Sequence, residues 1–190
     1  MESPTPAGDE RNLLARCRAG DTRAFSILVE RYRDRAYGLA LRMVRSPSDA
    51  EEVAQDAFVR AWRSLADFRG DSSFGTWLYR IVWRRAVDRA AVLRTRMGKE
   101  TALEEMPEVG RTAVARESSA ADTGDASEWD RITEGLSDAQ RAVVTLFYYE
   151  DMALKDVARV LDMPEGTVKT HLSRARAALR ARYREGNHAM

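Results

Sequence analysis

Cysteine and histidine are almost missing from this chain of 190 residues: Cys17 is the single cysteine, and His171 and His188 are the two histidines. One cysteine cannot close an intramolecular disulfide, and a thiolate metal site would need ligands of other types. No H-x-E or C-x-x-C pattern occurs, so no catalytic, cofactor-binding or metal-ligating set is assigned. No apolar run approaches the roughly 18 residues that a membrane-crossing helix needs. The opening MESPTPAGDE has neither a basic start nor an apolar core, so it does not read as a signal peptide, and the cytoplasm is the expected location. Strand alternation persists nowhere and there is no internal repeat. With 44% hydrophobic and 32% charged residues, the chain reads as an all-α globular protein.

The net charge of +1 conceals segregation. Acid collects at 49–56 and 100–128, base at 84–99 and 167–184. Taken in order, residues 1–9 read as a disordered tail. A first helical domain is expected over 10–97, with a short helix from Glu10 to Arg18 ended by Gly20. A second helix is capped by Asp21 and carries Phe25, Leu28, Val29, Tyr32, Ala36, Leu39, Ala40 and Met43 at a 3.6 period. Ser46-Pro47 breaks the chain, and Ser48 with Glu51 forms a capping-box pattern for a third helix. A polar loop over 69–73 precedes a fourth helix starting near Phe74. Residues 98–128 lose apolar periodicity and read as a flexible acidic linker. A second domain is expected over 129–185, opening with the capping box Ser137 and Gln140, and a tail over 186–190.

Within the second domain, Leu154, Val157, Ala158 and Leu161 share one helix face, and Val168, Leu172, Ala175 and Leu179 share another. Between them lies Asp162-Met163-Pro164-Glu165-Gly166, with Pro164 suited to the first helical position. The face opposite Val168 carries Lys169, Thr170, Ser173 and Arg174, flanked by Arg176 and Arg180, and no acidic residue occurs between Thr167 and Arg184. A short turn, an apolar back and a polar, basic front describe a helix-turn-helix whose second helix enters a DNA major groove. The competing reading is a charged surface helix of an ordinary bundle, which explains the basic face but not the turn.

In the first domain, Phe68, Phe74, Trp77, Tyr79 and Trp83 alternate with Arg69, Arg80, Arg84 and Arg85. Rings beside cations suit single-stranded DNA, on whose bases the rings stack while arginines follow the phosphates. Trp77, four residues before Ile81, reads as core. For Phe74, Tyr79 and Trp83 core and stacking both stay open. Asp49, Glu52 and Asp56 form a carboxylate stripe at i, i+3, i+7, with Arg60 further along the same face. It reads either as a solvated face or as a docking surface for another protein, where charge guides approach and register.

Residues 49–62 (DAEEVAQDAFVRAW), 68–70 (FRG), 76–81 (TWLYRI) and 166–176 (GTVKTHLSRAR) together resemble the extracytoplasmic-function sigma factors of bacterial RNA polymerase. The resemblance spans about 25–96 and 136–183. It implies two helical domains, sigma region two and the region-four helix-turn-helix. It implies a factor, not an enzyme, that binds core RNA polymerase and directs it to promoters. The first domain would open and read the −10 element through Arg69, Phe74, Tyr79, Arg80, Trp83 and Arg84. The same domain would bind the β′ clamp helices through Asp49, Glu52, Gln55, Asp56, Phe58 and Arg60. The second would bind the β flap and read the −35 element through Thr167, Lys169, Thr170, His171, Ser173, Arg174, Arg176 and Arg180. An anti-sigma protein is a further implied partner. Arg84 stands where many members carry Asn, and Asp162 where Gly is frequent. A stand-alone helix-turn-helix regulator is the alternative function, and a DNA-acting enzyme is disfavoured by the shortage of histidine. Limited proteolysis should cut first within 100–128 and yield two folded fragments; protection of that span would contradict the linker reading.

Overall fold

The computed structural model describes residues 6–104, 129 and 131–188, and among these there is helix and no strand. The span 105–128, most of the expected linker, lies outside the described residues, as do 1–5 of the expected tail.

The first domain is a bundle of four helices. Helix α1 (Pro6–Arg18) begins earlier than expected and buries Leu13, Leu14 and Cys17. Burial pushes the Cys17 thiol up, away from a reactive thiolate. Helix α2 (Thr22–Val44) is capped by Asp21, whose carboxylate accepts from the backbone N–H groups of Arg23 and Ala24. Its stripe of Leu28, Ala36, Leu39, Ala40 and Met43 is buried, as the periodicity requires. Helix α3 (Pro47–Arg63) starts two residues ahead of the expected Ser48 box. Ser46 is the cap, accepting from Asp49 N–H, because Pro47 with its fixed φ occupies the first turn. The buried face of α3 is mostly small (Ala50, Ala54, Ala57, Ala61) and lets α2 and α4 approach closely.

After a 3₁₀ turn (Leu65–Asp67) the chain reverses at Gly70, where φ is +82° and a side chain would be strained. Ser73 Oγ accepts from Thr76 N–H at 3.1 Å and opens α4 (Phe74–Glu104). At about 1.5 Å per residue, its 31 residues run for about 46 Å, past residue 98, where the linker was expected to begin.

The second domain contains α5 (Asp138–Val144), opened by the full Ser137–Gln140 capping box and prolonged by a π turn (Thr145–Tyr149). Helix α6 (Leu154–Leu161) ends at Asp162 in the left-handed region, φ 57°, a conformation that Asp tolerates better than most residues. Helix α7 (Glu165–His188) follows. Pro164 precedes it as the cap, its carbonyl accepting from Val168 N–H at 3.1 Å, one position earlier than expected.

The domains pack on one another, α6 lying against α4. Arg80 and Arg84 of α4 reach Asp162 at 3.0 and 3.1 Å, and Arg94 reaches Asp138 at 2.9 Å. The guanidinium of Arg42 lies 3.3 Å from the Tyr149 ring centroid. The Glu150 side chain is 1% exposed, 3.9 Å from Arg35. Burial pushes its carboxyl up, against the opposing pull of Arg35 and Arg42.

Inside the first domain, a Cβ at Gly75 would meet the Tyr32 ring at 2.9 Å. Tyr32 is held in place by its hydroxyl, which donates to Glu10 at 2.6 Å. Gly75→Ala should therefore cost about 1–3 kcal/mol in urea unfolding, the usual penalty of overpacking. Unchanged stability would show that Tyr32 yields without loss.

Candidate nucleic-acid interface

The outer surface of the helix-turn-helix follows from its inner one. Val157, Val160, Leu161, Val168, Leu172 and Ala175 are buried, which turns Thr167, Lys169, Thr170, Ser173, Arg174 and Arg180 to solvent. These six do not stand alike. Lys169 pairs with Glu165 at 2.8 Å, and the Thr170 hydroxyl donates to the Gly166 carbonyl at 3.0 Å. The Arg180 Nε donates to the Arg176 carbonyl at 3.3 Å. Thr167, Ser173 and Arg174 have no side-chain partner among the described residues. They present a hydroxyl, a hydroxyl and an unpaired guanidinium, the short and bidentate groups that read base edges.

Of the other two expected readers, Arg176 is committed elsewhere and His171 is turned only partly to solvent. Arg176 is half-buried; its Nε donates to the Tyr148 hydroxyl at 2.6 Å, and its guanidinium lies 5.7 and 5.4 Å from the ring centroids of Phe147 and Tyr148. That fastens α7 to the π turn. His171 is half-buried, with Nδ1 enclosed and without a hydrogen-bond partner among the described residues. Spacing alone gave no signal of either, because the rings that engage Arg176 come from another element.

In the first domain the structure redistributes the expected roles. Phe74 (1% exposed), Tyr79 (4%) and Trp83 (9%) are core, so in this conformation their faces cannot receive bases. Burial, and then the nearby Glu150 charge, push the Tyr79 hydroxyl up. The reason is the phase of α4: these three positions face α2 and the second domain. Trp77, read as core, is half-buried and lines a cleft of about 360 Å³ with Phe68, Arg69, Gly70, Ser72, Thr76 and Arg80. Its ring packs 5.1 Å from Phe68 and 5.7 Å from Phe74, so the core aromatics hold it at the cleft wall. Arg18 of α1 fixes the same wall, donating to the Phe68 carbonyl with its guanidinium 5.8 Å from the Phe68 ring centroid. Arg69 and Arg84 are exposed and Arg80 is half-buried. Arg159, from α6, adds to the cleft lining, a contribution that no reading of the first domain could have found.

The carboxylate stripe on α3 is neither a bare solvated face nor an unpaired one. Helix α4 runs antiparallel beside it and answers it: Asp49 meets Arg89 at 2.5 Å, Glu52 meets Arg89 at 2.7 Å, and Asp56 meets Arg85 at 2.5 Å and Arg60 at 3.0 Å. Burial alone would raise Asp56, but the hydrogen bonds from Arg60 and Arg85 outweigh it and hold the carboxyl below its ordinary value. Phe58 is core. What α3 offers to solvent is Glu51, Glu52, Gln55, Arg60 and an apolar Val59, 47% exposed. Val59 was not singled out from the sequence; its position one turn from Gln55 was the available signal.

Comparison with known proteins agrees with this division into a cleft-bearing bundle and a helix-turn-helix. The Sigma-70 region 2 family model matches residues 28–96, and the Sigma-70 region 4 model matches residues 127–179. The chain is 34% identical over 184 residues to the RNA polymerase sigma-H factor of Pseudomonas aeruginosa, covering 90% of this chain and 91% of that one. It is 30% identical over 178 residues to the ECF RNA polymerase sigma factor SigW of Bacillus subtilis, covering 90% and 95%. Among solved structures, CnrH in complex with the cytosolic domain of CnrY is similar at a TM-score of 0.68 and 28% identity, over 93% of this chain and 98% of that one. Sigma factor RpoE of Bartonella quintana, in complex with the anti-sigma factor NepR, shares the fold at a TM-score of 0.61 and 20% identity, over 83% and 94%. The chain belongs to the ECF sigma factors of bacterial RNA polymerase, a family of transcription initiation factors and not of enzymes.

The contrast between Arg174 and Arg176 is testable without any partner. Arg176→Ala removes a charge-assisted hydrogen bond and two ring contacts and should lower stability by about 1–3 kcal/mol. Arg174→Ala should leave the unfolding midpoint where it is. Equal shifts for the two would contradict the assignment of Arg176 to packing.

Proposed function

We propose that this protein binds core RNA polymerase and directs it to promoters whose −35 element is read by α7 and whose −10 element is opened and read at the cleft of the first domain. The observation that carries the reading is the pairing, on one chain, of two complementary devices. One is a packed helix-turn-helix with Thr167, Ser173 and Arg174 turned outward. The other is a polar cleft lined by Trp77, Arg69 and Arg80 together with Asp67 and Asp71, with the exposed Arg84 one turn along α4 from Arg80. The first suits duplex DNA, the second a single strand with an extruded base, stacked on a ring and held by arginines. Trp77 takes the stacking role expected of Phe74, Tyr79 and Trp83. Lys169, Thr170 and Arg180 contribute phosphate contacts, with His171 and Arg176 supporting the helix.

Docking to the clamp helices of β′ centres on Gln55 and Val59, flanked by Glu52 and Arg60. Asp49, Asp56 and Phe58 shape that face from within. The β flap is the second contact, made by the second domain. An anti-sigma protein is proposed as the regulatory partner, a reading supported by family membership and by the partner chain seated on CnrH. Among the described residues no helix is long and apolar enough to cross a membrane, and the proposed location is the cytoplasm. No cofactor, metal or catalytic step enters this reading.

Run-off transcription with purified core polymerase on a genomic fragment library tests it. Discrete start sites that require the added chain are expected. Tight, sequence-specific binding to duplex DNA by the chain alone, with no new start sites, would favour the stand-alone regulator instead.

A further inference from the structure

Two arginines of α4 and one carboxylate of the helix-turn-helix meet across the domain boundary. Arg80 and Arg84 are one helical turn apart, and both reach Asp162, through separate carboxylate oxygens, at 3.0 and 3.1 Å. Asp162 can present both oxygens because it sits in the left-handed turn between α6 and α7, outside either helix. The Arg80 Nε is enclosed and has no acceptor among the described residues, so the guanidinium retains a donor that the carboxylate leaves unused. Arg80 also lines the cleft beside Trp77, and the same approach of the second domain brings Arg159 into the cleft lining.

A planar guanidinium pair around one anion is the geometry that binds a phosphate as well as a carboxylate. We propose that Arg80 and Arg84 form a site for one backbone phosphate of single-stranded DNA, and that Asp162 is its internal competitor, occupying the site whenever the second domain is closed over the cleft. The competition couples two events. While Asp162 is seated, the phosphate site is filled and Arg159 stands in the cleft lining. When the domains part, both become available together. Asp162, Arg80 and Arg84 are 64%, 40% and 59% exposed at their side chains, so the latch is weak and screened by salt. A weak latch suits a contact that must be displaced by a ligand of ordinary affinity. This proposal rests on the assignment of the cleft to the −10 strand.

Asp162→Asn tests it, since Asn also tolerates the left-handed turn and removes only the charge. Two readouts are needed. Dyes on Asp34→Cys and Lys155→Cys, both exposed positions, report domain separation by energy transfer; buried Cys17 stays unlabelled. Fluorescence anisotropy with a mixed-sequence single strand of about 12 nucleotides reports binding. In the free chain, Asp162→Asn should lower energy transfer and tighten the single strand about fivefold, the scale of two exposed ion pairs. Arg84→Gln, which leaves the Arg80–Asp162 pair, should lower energy transfer by less and weaken the single strand. In complex with core polymerase, energy transfer should fall to the value of a parted chain, and wild type and Asp162→Asn should then bind the strand alike. Unchanged energy transfer in Asp162→Asn would overturn the latch. Lower energy transfer with unchanged strand binding would overturn the phosphate site. Failure of even the polymerase-bound wild type to bind the strand would overturn the −10 assignment itself, leaving the latch measured by energy transfer alone.

Discussion

Arginine–carboxylate pairing between elements decides what each surface of this molecule presents. Of its 31 basic residues, 28 are arginine, and six of them lie on α4. Along that one helix, Arg80 and Arg84 hold Asp162, Arg85 holds Asp56, Arg89 holds Asp49 and Glu52, and Arg94 holds Asp138. Each exposed pair is worth at most about 1 kcal/mol, so the pairs do not hold the fold together. Burial of Phe74, Leu78, Val82 and Ala86 from the same helix does that. What the pairs do is fix register: α3 beside α4 with Asp49 opposite Arg89 and Asp56 opposite Arg85, and the helix-turn-helix beside the cleft. A guanidinium engaged by a carboxylate has the geometry to take another anion in its place, the exchange proposed at Arg80 and Arg84.

Much of this was legible in the sequence. The stripe of α2, the two faces of the helix-turn-helix and the Ser137–Gln140 box all follow from local rules that packing then respects. The rotational phase of α4 was not legible. Rings occur on several sides of that helix, so periodicity cannot say which of Phe74, Trp77, Tyr79 and Trp83 faces outward. The answer is set by Tyr32 and by Phe68, which lie elsewhere in the chain. The α3 stripe shows the same limit. Three carboxylates on one face read equally well as solvated or as docking residues until the i, i+4 arginines of α4 are placed against them. Glu150 was invisible for a related reason: in the Glu150-Asp151 pair neither acid stands out until Arg35, Arg42 and Tyr79 are placed around the first.

The closed packing of the domains links these observations to activity in the family to which the chain belongs. Two surfaces that DNA would use at once, the cleft and the helix-turn-helix, are held together by contacts that are polar at their edge and aromatic at Arg42, Tyr149 and Trp129. The polar edge is the part that salt, a phosphate or a protein partner can replace.

Small-angle X-ray scattering of the unmodified protein across a salt series measures this most directly. A compact chain of 190 residues has a radius of gyration of about 16 Å. At low salt the radius should lie near that value, with the excess set by residues outside the two bundles. It should rise as salt approaches about 0.5 M and the arginine–carboxylate contacts are screened. A radius far above the compact value at low salt, unchanged through the series, would contradict the account, because the arginines of α4 would then not be bringing the domains together.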